Sequence, residues 1–286
     1  MSSISTQRRL RLGLIGDNIA RSRSPLLHRL AGEQNGMDVQ YDRLIPRDLG
    51  EDFDEVFARC AGGGYRGINV TYPYKEKAAA KVSIEDPLVR AIGAVNTVLF
   101  ESDGPIGWNT DYTGFMAAYR SARGDRAPGI CCLIGTGGVG RALAFGLIEL
   151  GATEIRLVDR DQAKAEALAV DLQKLGGAAR IVVHPDAGSA ARGAQGLLNG
   201  TPVGMVGYGG TPLPAEAMAG ADWAFDAVYT PVDTRFLTDA AAAGLDVISG
   251  YELFFFQGVH AWTLFSGKPL DEHALRASLI ADDRVV

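Results

Sequence analysis

Short apolar runs alternate with segments of helical periodicity along most of the chain, and polar or turn residues close several of the runs. Segments in which apolar side chains alternate or form a short block are predicted strands, at 9–16, 39–45, 67–70, 91–100, 106–108, 129–134, 154–158, 181–183, 196–199, 223–229 and 246–248. Segments with helical spacing are predicted helices, at 25–36, 49–60, 113–120, 162–175, 250–265 and 270–279. Because strands and helices alternate, the pattern predicts an α/β fold with mainly parallel sheets.

The most informative stretch is Gly67–Glu76, where a buried strand gives way to a turn and then to a helix. Asn69 and Thr71 are the polar residues at the end of that strand, and Pro73 prevents the strand from continuing. Ligands of open α/β sheets bind at the carboxyl ends of the strands, so we expect these side chains and Lys75 to lie at a binding site. A lysine there can donate or accept a proton. The alternative is a solvated lysine that opens a helix.

Two serines follow the first strand, in the loop that precedes Pro25. Ser24 is the predicted N-cap of the helix that Pro25 opens, and capping alone explains its presence. Ser22 has no such structural role, so its hydroxyl is a candidate to face the same ligand as Lys75. His28 falls inside the helix and is interpreted as a packing or surface histidine rather than a catalytic base.

Two further polar clusters interrupt or end apolar strands. Asn96 and Thr97 break an apolar run, and a buried polar pair must be satisfied either by the backbone or by a ligand. Asp111 closes a short strand, and it is also suited to be the N-cap of the next helix. A carboxylate near a lysine would hold the ammonium group and take part in its proton chemistry, so we predict that Asp111 pairs with Lys75.

The second half opens with an apolar strand, the glycine pattern Gly135-x-Gly137-x-x-Gly140 and a helix. This order is typical of dinucleotide-binding Rossmann domains, where the glycines allow a tight turn, a close approach of the backbone to the pyrophosphate and close packing. The next strand ends in Asp159, about 20 residues after the last glycine, where a carboxylate binds a ribose 2′-hydroxyl. The acid favours NAD, whereas Arg160 beside it keeps NADP as a second option.

Composition narrows the classes of partner. A net charge of −6 over 286 residues argues against nucleic acid or a membrane surface as the partner. It does not argue against a small anionic ligand, because local donors decide such binding. The chain has three cysteines, Cys60 alone and Cys131 beside Cys132, which argues against a disulfide framework and favours a reducing compartment. With neither a signal-peptide pattern nor an apolar run of membrane-spanning length, the sequence is interpreted as that of a cytoplasmic protein.

A series of motifs occurs in the order seen in shikimate dehydrogenases, and the chain resembles that family from about Leu12 to Phe265. The motifs are Ser22-Arg-Ser-Pro25, Gly67-Ile-Asn-Val-Thr-Tyr-Pro-Tyr-Lys-Glu76, Gly93-Ala-Val-Asn-Thr97, Asn109-Thr-Asp111, the glycine loop, Asn199-Gly-Thr-Pro202 and Gln257. The resemblance implies a substrate domain of residues 1–109 and 247–286, with a Rossmann NAD(P)-binding domain of residues 110–246 inserted into it. It also implies a small cyclic polyol carboxylate as substrate. No metal is expected, and the expected assembly is a monomer or a homodimer.

Carried over position by position, the resemblance assigns roles to individual residues. Lys75 and Asp111 resemble the catalytic pair: neutral Lys75 would accept the proton of the substrate's 3-hydroxyl during oxidation, and Asp111 would hold the 4-hydroxyl and the lysine. The residues that resemble substrate ligands are Ser22, Ser24, Asn69, Thr71, Asn96, Tyr229 and Gln257. Those that resemble cofactor contacts are Gly135, Thr136, Gly137, Gly138, Val139, Gly140, Asp159, Arg160, Asn199, Thr201, Pro202, Val228 and Gly250. The implied reaction is hydride transfer between a nicotinamide cofactor and C3 of shikimate or 3-dehydroshikimate, with quinate and 3-dehydroquinate as related substrates.

The chain departs from the family pattern near the expected substrate and nicotinamide. Biosynthetic members often have Asn-Arg where this chain has Asp159 and Arg160, and the acid resembles the NAD-using quinate/shikimate branch. Tyr112 replaces a common glycine, Gly200 a common alanine, and the aromatic run at 251–256 a common Met-Leu. We therefore expect an enzyme that prefers NAD, with an NADP-dependent biosynthetic shikimate dehydrogenase as the alternative.

Two other interpretations of the same residues stay open on the sequence alone. A methylenetetrahydrofolate dehydrogenase also joins a catalytic lysine to a nicotinamide domain, but the two-serine loop and Asp111 disfavour it. A non-catalytic NAD(H)-binding sensor of the same fold would need neither Lys75 nor Asp111, and both are present.

Overall fold

The computed structural model describes residues 9–283, and the chain divides into two compact units. The first unit runs to Thr110 and resumes at Gly258, and the second comprises Asp111–Gln257. Each unit is built on a sheet flanked by helices, so the predicted α/β class is confirmed. The domain limits expected from the sequence stay predictions, and residues 1–8 and 284–286 of the expected substrate domain lie outside the described range.

The first unit contains a five-stranded mixed sheet. Its strands are β1 (Arg9–Ile15), β2 (Asp38–Leu44), β3 (Gly67–Val70), β4 (Thr97–Glu101) and β5 (Gly104–Trp108). They lie in the order β2-β1-β3-β4-β5, with β1 parallel to both β2 and β3, and with β4 antiparallel to both β3 and β5. The parallel arrangement brings the carboxyl ends of β1 and β3 to the same edge of the sheet.

Helices cover the first sheet, and its strands supply two apolar clusters. The helices are α1 (Ser24–Gln34), α2 (Pro46–Leu49), α3 (Phe53–Gly62), α4 (Lys75–Ala79), α5 (Pro87–Ile92) and α12 (Glu272–Asp283). Ile15 and Val98 belong to one cluster, and Leu12 and Leu99 belong to the other. Since neighbouring residues of a strand point to opposite faces, both faces of this sheet are buried against apolar side chains.

Three predictions about the first unit are wrong. The predicted helix 49–60 is two helices, because Gly50 ends α2 with a left-handed φ of 69° and an Asp52–Glu55 capping box opens α3. The predicted strand 91–100 begins only at Thr97, since its first residues end α5, which stops at Gly93 with φ 68°. Ser24 is not an N-cap: it is the first residue of α1, and no side chain caps that helix.

The second unit contains a six-stranded parallel sheet. Its strands are β6 (Ile130–Ile134), β7 (Glu154–Val158), β8 (Arg180–Val183), β9 (Gly196–Asn199), β10 (Trp223–Asp226) and β11 (Asp246–Ile248). The order β11-β10-β9-β6-β7-β8 places β6 between β7 and β9. Strands β7 and β8 are added on one side of β6 and strands β9 to β11 on its other side, so the order of strand addition reverses at β6. This is the doubly wound Rossmann order, in which ligands bind beyond the carboxyl ends of the strands at the reversal.

Helices flank the second sheet, and two of them contain the boundaries between the units. The helices are α6 (Thr110–Arg123), α7 (Gly138–Glu149), α8 (Gln162–Lys174), α9 (Ala187–Ala191), α10 (Arg235–Ala242) and α11 (Gly250–Ser266), with a short 3-10 helix at Ala215–Met218. Asp111 is not the predicted N-cap of α6, because the helix begins one residue earlier and places it in the first turn. The predicted strand 223–229 stops at Asp226, whose carboxylate accepts a hydrogen bond from the Val228 N–H and so turns the chain.

The three cysteines, Cys60, Cys131 and Cys132, are all buried free thiols. Among residues 9–283, no helix has both the length and the apolar character needed to cross a membrane.

Candidate active site

Backbone hydrogen bonds tie together the loops that follow β1 and β3. The Thr71 N–H donates to the Ile15 carbonyl at 2.9 Å, and the Asp17 N–H donates to the Tyr72 carbonyl at 3.2 Å. A Cβ at Gly16 would collide with the Thr71 side chain, so the two loops approach as closely as a glycine permits. The polar residues that the sequence places after β1 and β3 therefore belong to one edge of the first unit.

Ser22 and Ser24 form a pair at that edge. The Ser22 hydroxyl donates to the Ser24 hydroxyl at 3.1 Å and accepts from the Ser24 backbone N–H at 3.3 Å. The Arg43 guanidinium donates to the Ser22 carbonyl at 2.7 Å, which anchors the backbone of the loop. The two hydroxyls predicted to share a ligand are thus adjacent, and Ser24 is available for that role because it does not cap α1.

Lys75 is the first residue of α4 and is only 8% exposed. Its carbonyl accepts the Val95 N–H at 3.0 Å, and the preceding Tyr74 stacks on Phe53 with ring centroids 4.9 Å apart. The Tyr74 hydroxyl also donates to the Asp17 carboxylate at 2.6 Å. The backbone that carries the lysine is therefore fixed on both sides, and the alternative of a solvated lysine is wrong.

Asn96 and Thr97 are buried, and other groups of the protein form hydrogen bonds with the Asn96 side-chain oxygen and with the Thr97 hydroxyl. The Asn96 side-chain oxygen accepts the Thr110 backbone N–H at 2.7 Å and the Thr97 hydroxyl at 3.1 Å. The Asn109 side-chain amide donates to the Ala94 carbonyl at 2.8 Å. These bonds fix the segment immediately before Asp111, which is itself 6% exposed.

The site residues predicted from the sequence divide between the two units. Those in the first unit are Ser22, Ser24, Asn69, Thr71, Lys75 and Asn96. Asp111, Tyr229 and Gln257 belong to the second unit, together with all of the predicted cofactor contacts. Tyr229 stacks on Phe254 with centroids 5.0 Å apart, and the Gln257 side chain donates to the Phe254 carbonyl at 2.8 Å.

The glycine loop between β6 and α7 has the geometry that dinucleotide binding requires. Gly135 has a φ of +94°, which L side chains rarely adopt, and a Cβ there would lie 2.6 Å from the Thr201 methyl group. A Cβ at Gly140 would collide with the Gly135 carbonyl oxygen, so this glycine allows the helix to pack closely. Gly137 precedes α7, and a Cβ there would meet nothing within 4 Å. The bare backbone at the helix N-terminus therefore fits a pyrophosphate.

Asp159 at the end of β7 is already ordered by the glycine loop. One carboxylate oxygen accepts both the N–H and the hydroxyl of Thr136, at 2.7 and 2.8 Å, and the other accepts the Asp161 N–H at 3.0 Å. Burial acts to raise the pKa of Asp159, but the hydrogen bonds from Asp161 and Thr136 outweigh it and the pKa is lowered. A full negative charge therefore lies at the end of β7, beside the exposed Arg160.

A buried carboxylate that the sequence analysis missed holds the loop after β9. Asp226 is completely buried, pairs in register with Asn199, and accepts the Asn199 side-chain amide at 2.9 Å. Asn199 in turn accepts the N–H and hydroxyl of Thr201, at 3.0 and 2.6 Å. Val228 donates its N–H to the same carboxylate, and a Cβ at Gly250 would collide with the Val228 carbonyl. Asp226 thus connects the predicted cofactor contacts at the ends of β9 and β10.

Asp226 should make stability depend on pH. Burial raises its pKa from 3.8 to about 6, although the Thr234 hydroxyl, the Val228 N–H and the Asn199 amide oppose the shift. The carboxyl contributes stability below its ordinary pKa, and this contribution is lost as the pH rises through about 6. Asparagine has no such titration. As the pH rises from 5 to 8, the free energy of unfolding of Asp226→Asn minus that of the wild type should therefore increase by about 1 kcal/mol. Urea unfolding of both proteins across this range measures the gain, and parallel pH dependences would contradict it.

Comparisons with known proteins find matches in both compact units. A family model for the shikimate dehydrogenase substrate binding domain matches residues 14–98, and one for coenzyme F420-dependent NADP oxidoreductases matches residues 130–198. The chain is 34% identical over 281 residues to the NAD(+) quinate/shikimate dehydrogenase of Corynebacterium efficiens, a match that covers 94% of this chain and 97% of that protein.

Solved structures agree with these sequence matches. Quinate dehydrogenase from Corynebacterium glutamicum in complex with NAD has a TM-score of 0.85 at 30% identity, covering 96% of this chain and 100% of that one. Shikimate 5-dehydrogenase from Thermus thermophilus in complex with NADP(H) and shikimate has a TM-score of 0.82 at 34% identity, covering 94% of this chain and 98% of that one. The methylenetetrahydrofolate dehydrogenase interpretation is therefore set aside, and the chain belongs to the shikimate dehydrogenase family of nicotinamide-dependent oxidoreductases.

Proposed function

We propose that the protein interconverts a hydroxyl and a ketone at C3 of shikimate, and of quinate as a related substrate, with NAD as the preferred cofactor. The observation that carries this proposal is the buried Lys75, held at the polar edge of a sheet whose neighbouring loop presents two serine hydroxyls. Relatives that act on quinate and shikimate support it. A non-catalytic sensor would gain nothing from a buried lysine, because burying an ammonium group is costly.

Lys75 is the proposed general base in oxidation and general acid in reduction. In its neutral form it accepts the proton of the C3 hydroxyl, and in the reverse direction its ammonium form returns that proton to the alkoxide oxygen. Asp111 holds the neighbouring ring hydroxyl and stabilises the protonated lysine through its negative charge. The nicotinamide ring, when bound, accepts or supplies the hydride at C3.

The two serines are the proposed binders of the substrate carboxylate. Their hydroxyls lie 3.1 Å apart, and each hydroxyl can turn its proton toward an incoming oxygen atom. Thr71, Asn96, Tyr229 and Gln257 are the further proposed contacts of the substrate, as the family resemblance implies. Quinate differs from shikimate at C1, the carbon that bears the carboxylate. Contacts near these serines would therefore discriminate between the two substrates.

Asp159 is the proposed reason for a preference for NAD. Its carboxylate can accept hydrogen bonds from ribose hydroxyls, whereas the 2′-phosphate of NADP would meet a negative charge. The Thr136 bonds hold this charge in place before a nucleotide arrives. The family contains both NAD-dependent and NADP-dependent members, and membership alone therefore does not decide the cofactor. In this chain, the negative charge of Asp159 is the feature that favours NAD.

A cytoplasmic location and a monomeric or dimeric state are also proposed. The three buried free thiols suit a reducing compartment, which supports the location.

Initial rates in a two-by-two grid of shikimate or quinate with NAD or NADP test the function. We expect activity with NAD on at least one of the two acids. A strong preference for NADP with shikimate would instead identify Arg160 as the deciding residue and favour the biosynthetic alternative. Silence in all four assays, with NAD binding retained, would favour the sensor.

A further inference from the structure

The side-chain amide of Asn69 is fully engaged by the protein. Its oxygen accepts the Tyr41 hydroxyl at 2.8 Å, and its NH2 group donates to the Thr97 hydroxyl at 3.0 Å and to the Asn96 carbonyl at 3.3 Å. His28 is also hydrogen-bonded to Asn69, and burial lowers the pKa of His28 to about 3, so the ring is neutral. An amide accepts two hydrogen bonds and donates two, so Asn69 has no capacity left for a ligand.

These bonds run toward the Asn96 oxygen. The Asn69 NH2 group can only donate, so the Thr97 hydroxyl oxygen accepts from it. The Thr97 proton is then left for the Asn96 oxygen at 3.1 Å or for the Thr110 hydroxyl at 3.2 Å, and that hydroxyl in turn donates to the Asn96 oxygen at 3.2 Å. The Thr110 backbone N–H can also only donate, and it reaches the same oxygen at 2.7 Å. Both observations orient the Asn96 amide with its oxygen toward the protein, so its NH2 group faces the other way.

The NH2 group of Asn96 is left to donate to an acceptor outside this network. Within residues 9–283, every hydrogen bond of the Asn96 side chain uses its oxygen. The residue is 3% exposed, and its NH2 group is not among the side-chain groups that are both fully buried and without a partner, so the exposed part of the residue includes this donor. A hydroxyl oxygen of a polyol is an acceptor of the required kind, because its lone pairs remain available when its own proton is donated elsewhere.

We propose that Tyr41, Asn69 and Thr97 are positioning residues that present the Asn96 NH2 group as a donor to a ring hydroxyl of the substrate. Asn69 then acts through Asn96 and not as a substrate ligand, which revises the role that the family resemblance implied for it. The inference rests on the proposed function, since the acceptor is a hydroxyl of shikimate or quinate. His28 completes the support, because it stacks on Tyr41 with ring centroids 4.9 Å apart.

Thr97→Val and Thr97→Ser test the relay as a matched pair. Valine keeps the shape of threonine but removes the hydroxyl, whereas serine keeps the hydroxyl. We expect Thr97→Val to raise KM for shikimate about tenfold and to leave KM for NAD unchanged, since a lost buried hydrogen bond has about this effect. Thr97→Ser should stay close to the wild type. An unchanged KM in Thr97→Val, or equal damage in both variants, would overturn the proposal.

A second readout separates this inference from the proposed function. Hydrogen exchange of the Thr110 backbone amide, which donates to the Asn96 oxygen, should be faster in Thr97→Val and unchanged in Thr97→Ser. If the wild type turns over neither acid, the proposed function fails while the exchange measurement still decides whether the relay orients Asn96. If Thr97→Val does not fold, Tyr41→Phe removes the first donor of the relay and retains the ring stacked on His28; it should raise KM for shikimate in the same direction, and an unchanged KM would again overturn the proposal.

Discussion

Lys75→Ala should lower kcat for the oxidation of shikimate by about 100- to 10,000-fold, the usual contribution of a positioned general base. Its dinucleotide affinity should stay the same, because the glycine loop belongs to the other compact unit and makes no use of the lysine. KM for shikimate should change much less than kcat, since proton transfer matters in the transition state and less in the ground state. Initial rates and an equilibrium titration with NADH measure the three quantities.

Lys77→Ala is the matched control for this experiment. Lys77 lies on the same short helix, two residues further along, and its side chain is exposed rather than buried. It should keep kcat within about twofold of the wild type, as surface substitutions usually do. If Lys75→Ala retained full turnover, Lys75 would have no part in the reaction, and if both variants lost turnover together, disruption of α4 would be the cause.

The sequence predicted most of the strands and the chemistry of the glycine loop because both depend on local signals. The φ of Gly135 and the close packing at Gly140 are properties that only glycine permits, so the residue type reveals the geometry. The same reasoning succeeded for Pro73, which follows the central strand β3 and cannot extend it. Buried strands such as β3 and β6 were recognisable from short apolar blocks for a similar reason.

What could not be predicted depends on which strands become neighbours. Asp226 closes an apolar strand and so gave a visible signal, but its role follows from its register with Asn199, and sequence does not state that β9 and β10 are adjacent. Tyr41 was likewise missed because its hydroxyl reaches β3 from β2, across β1. Ser24 was misassigned because Ser is favoured both as an N-cap and as a ligand, and only the start of α1 separates these roles.

Asp159→Ala should raise the ratio of kcat/KM with NADP to kcat/KM with NAD by about 100-fold. Two effects of similar size add: the loss of hydrogen bonds to ribose hydroxyls weakens NAD, and the removal of a negative charge relieves the repulsion of the 2′-phosphate. Arg160 then remains as a cation beside the phosphate. Part of the loss with NAD should come from the glycine loop, because Thr136 loses the acceptor of both its N–H and its hydroxyl.

Asp161→Ala separates the role of Asp159 from a general effect of charge. Asp161 lies two residues away with an acidic side chain, but its side chain does not cap α8, so its removal should change the cofactor ratio by less than about threefold. An unchanged ratio in Asp159→Ala, or the same change in both variants, would contradict the assignment of NAD preference to Asp159.

Adding Arg160→Ala to Asp159→Ala should remove most of the gained activity with NADP, because the guanidinium would then be missing from the site that received the phosphate. Since Thr136 loses its acceptor in the single and the double variant alike, the difference between them measures the contribution of Arg160 alone.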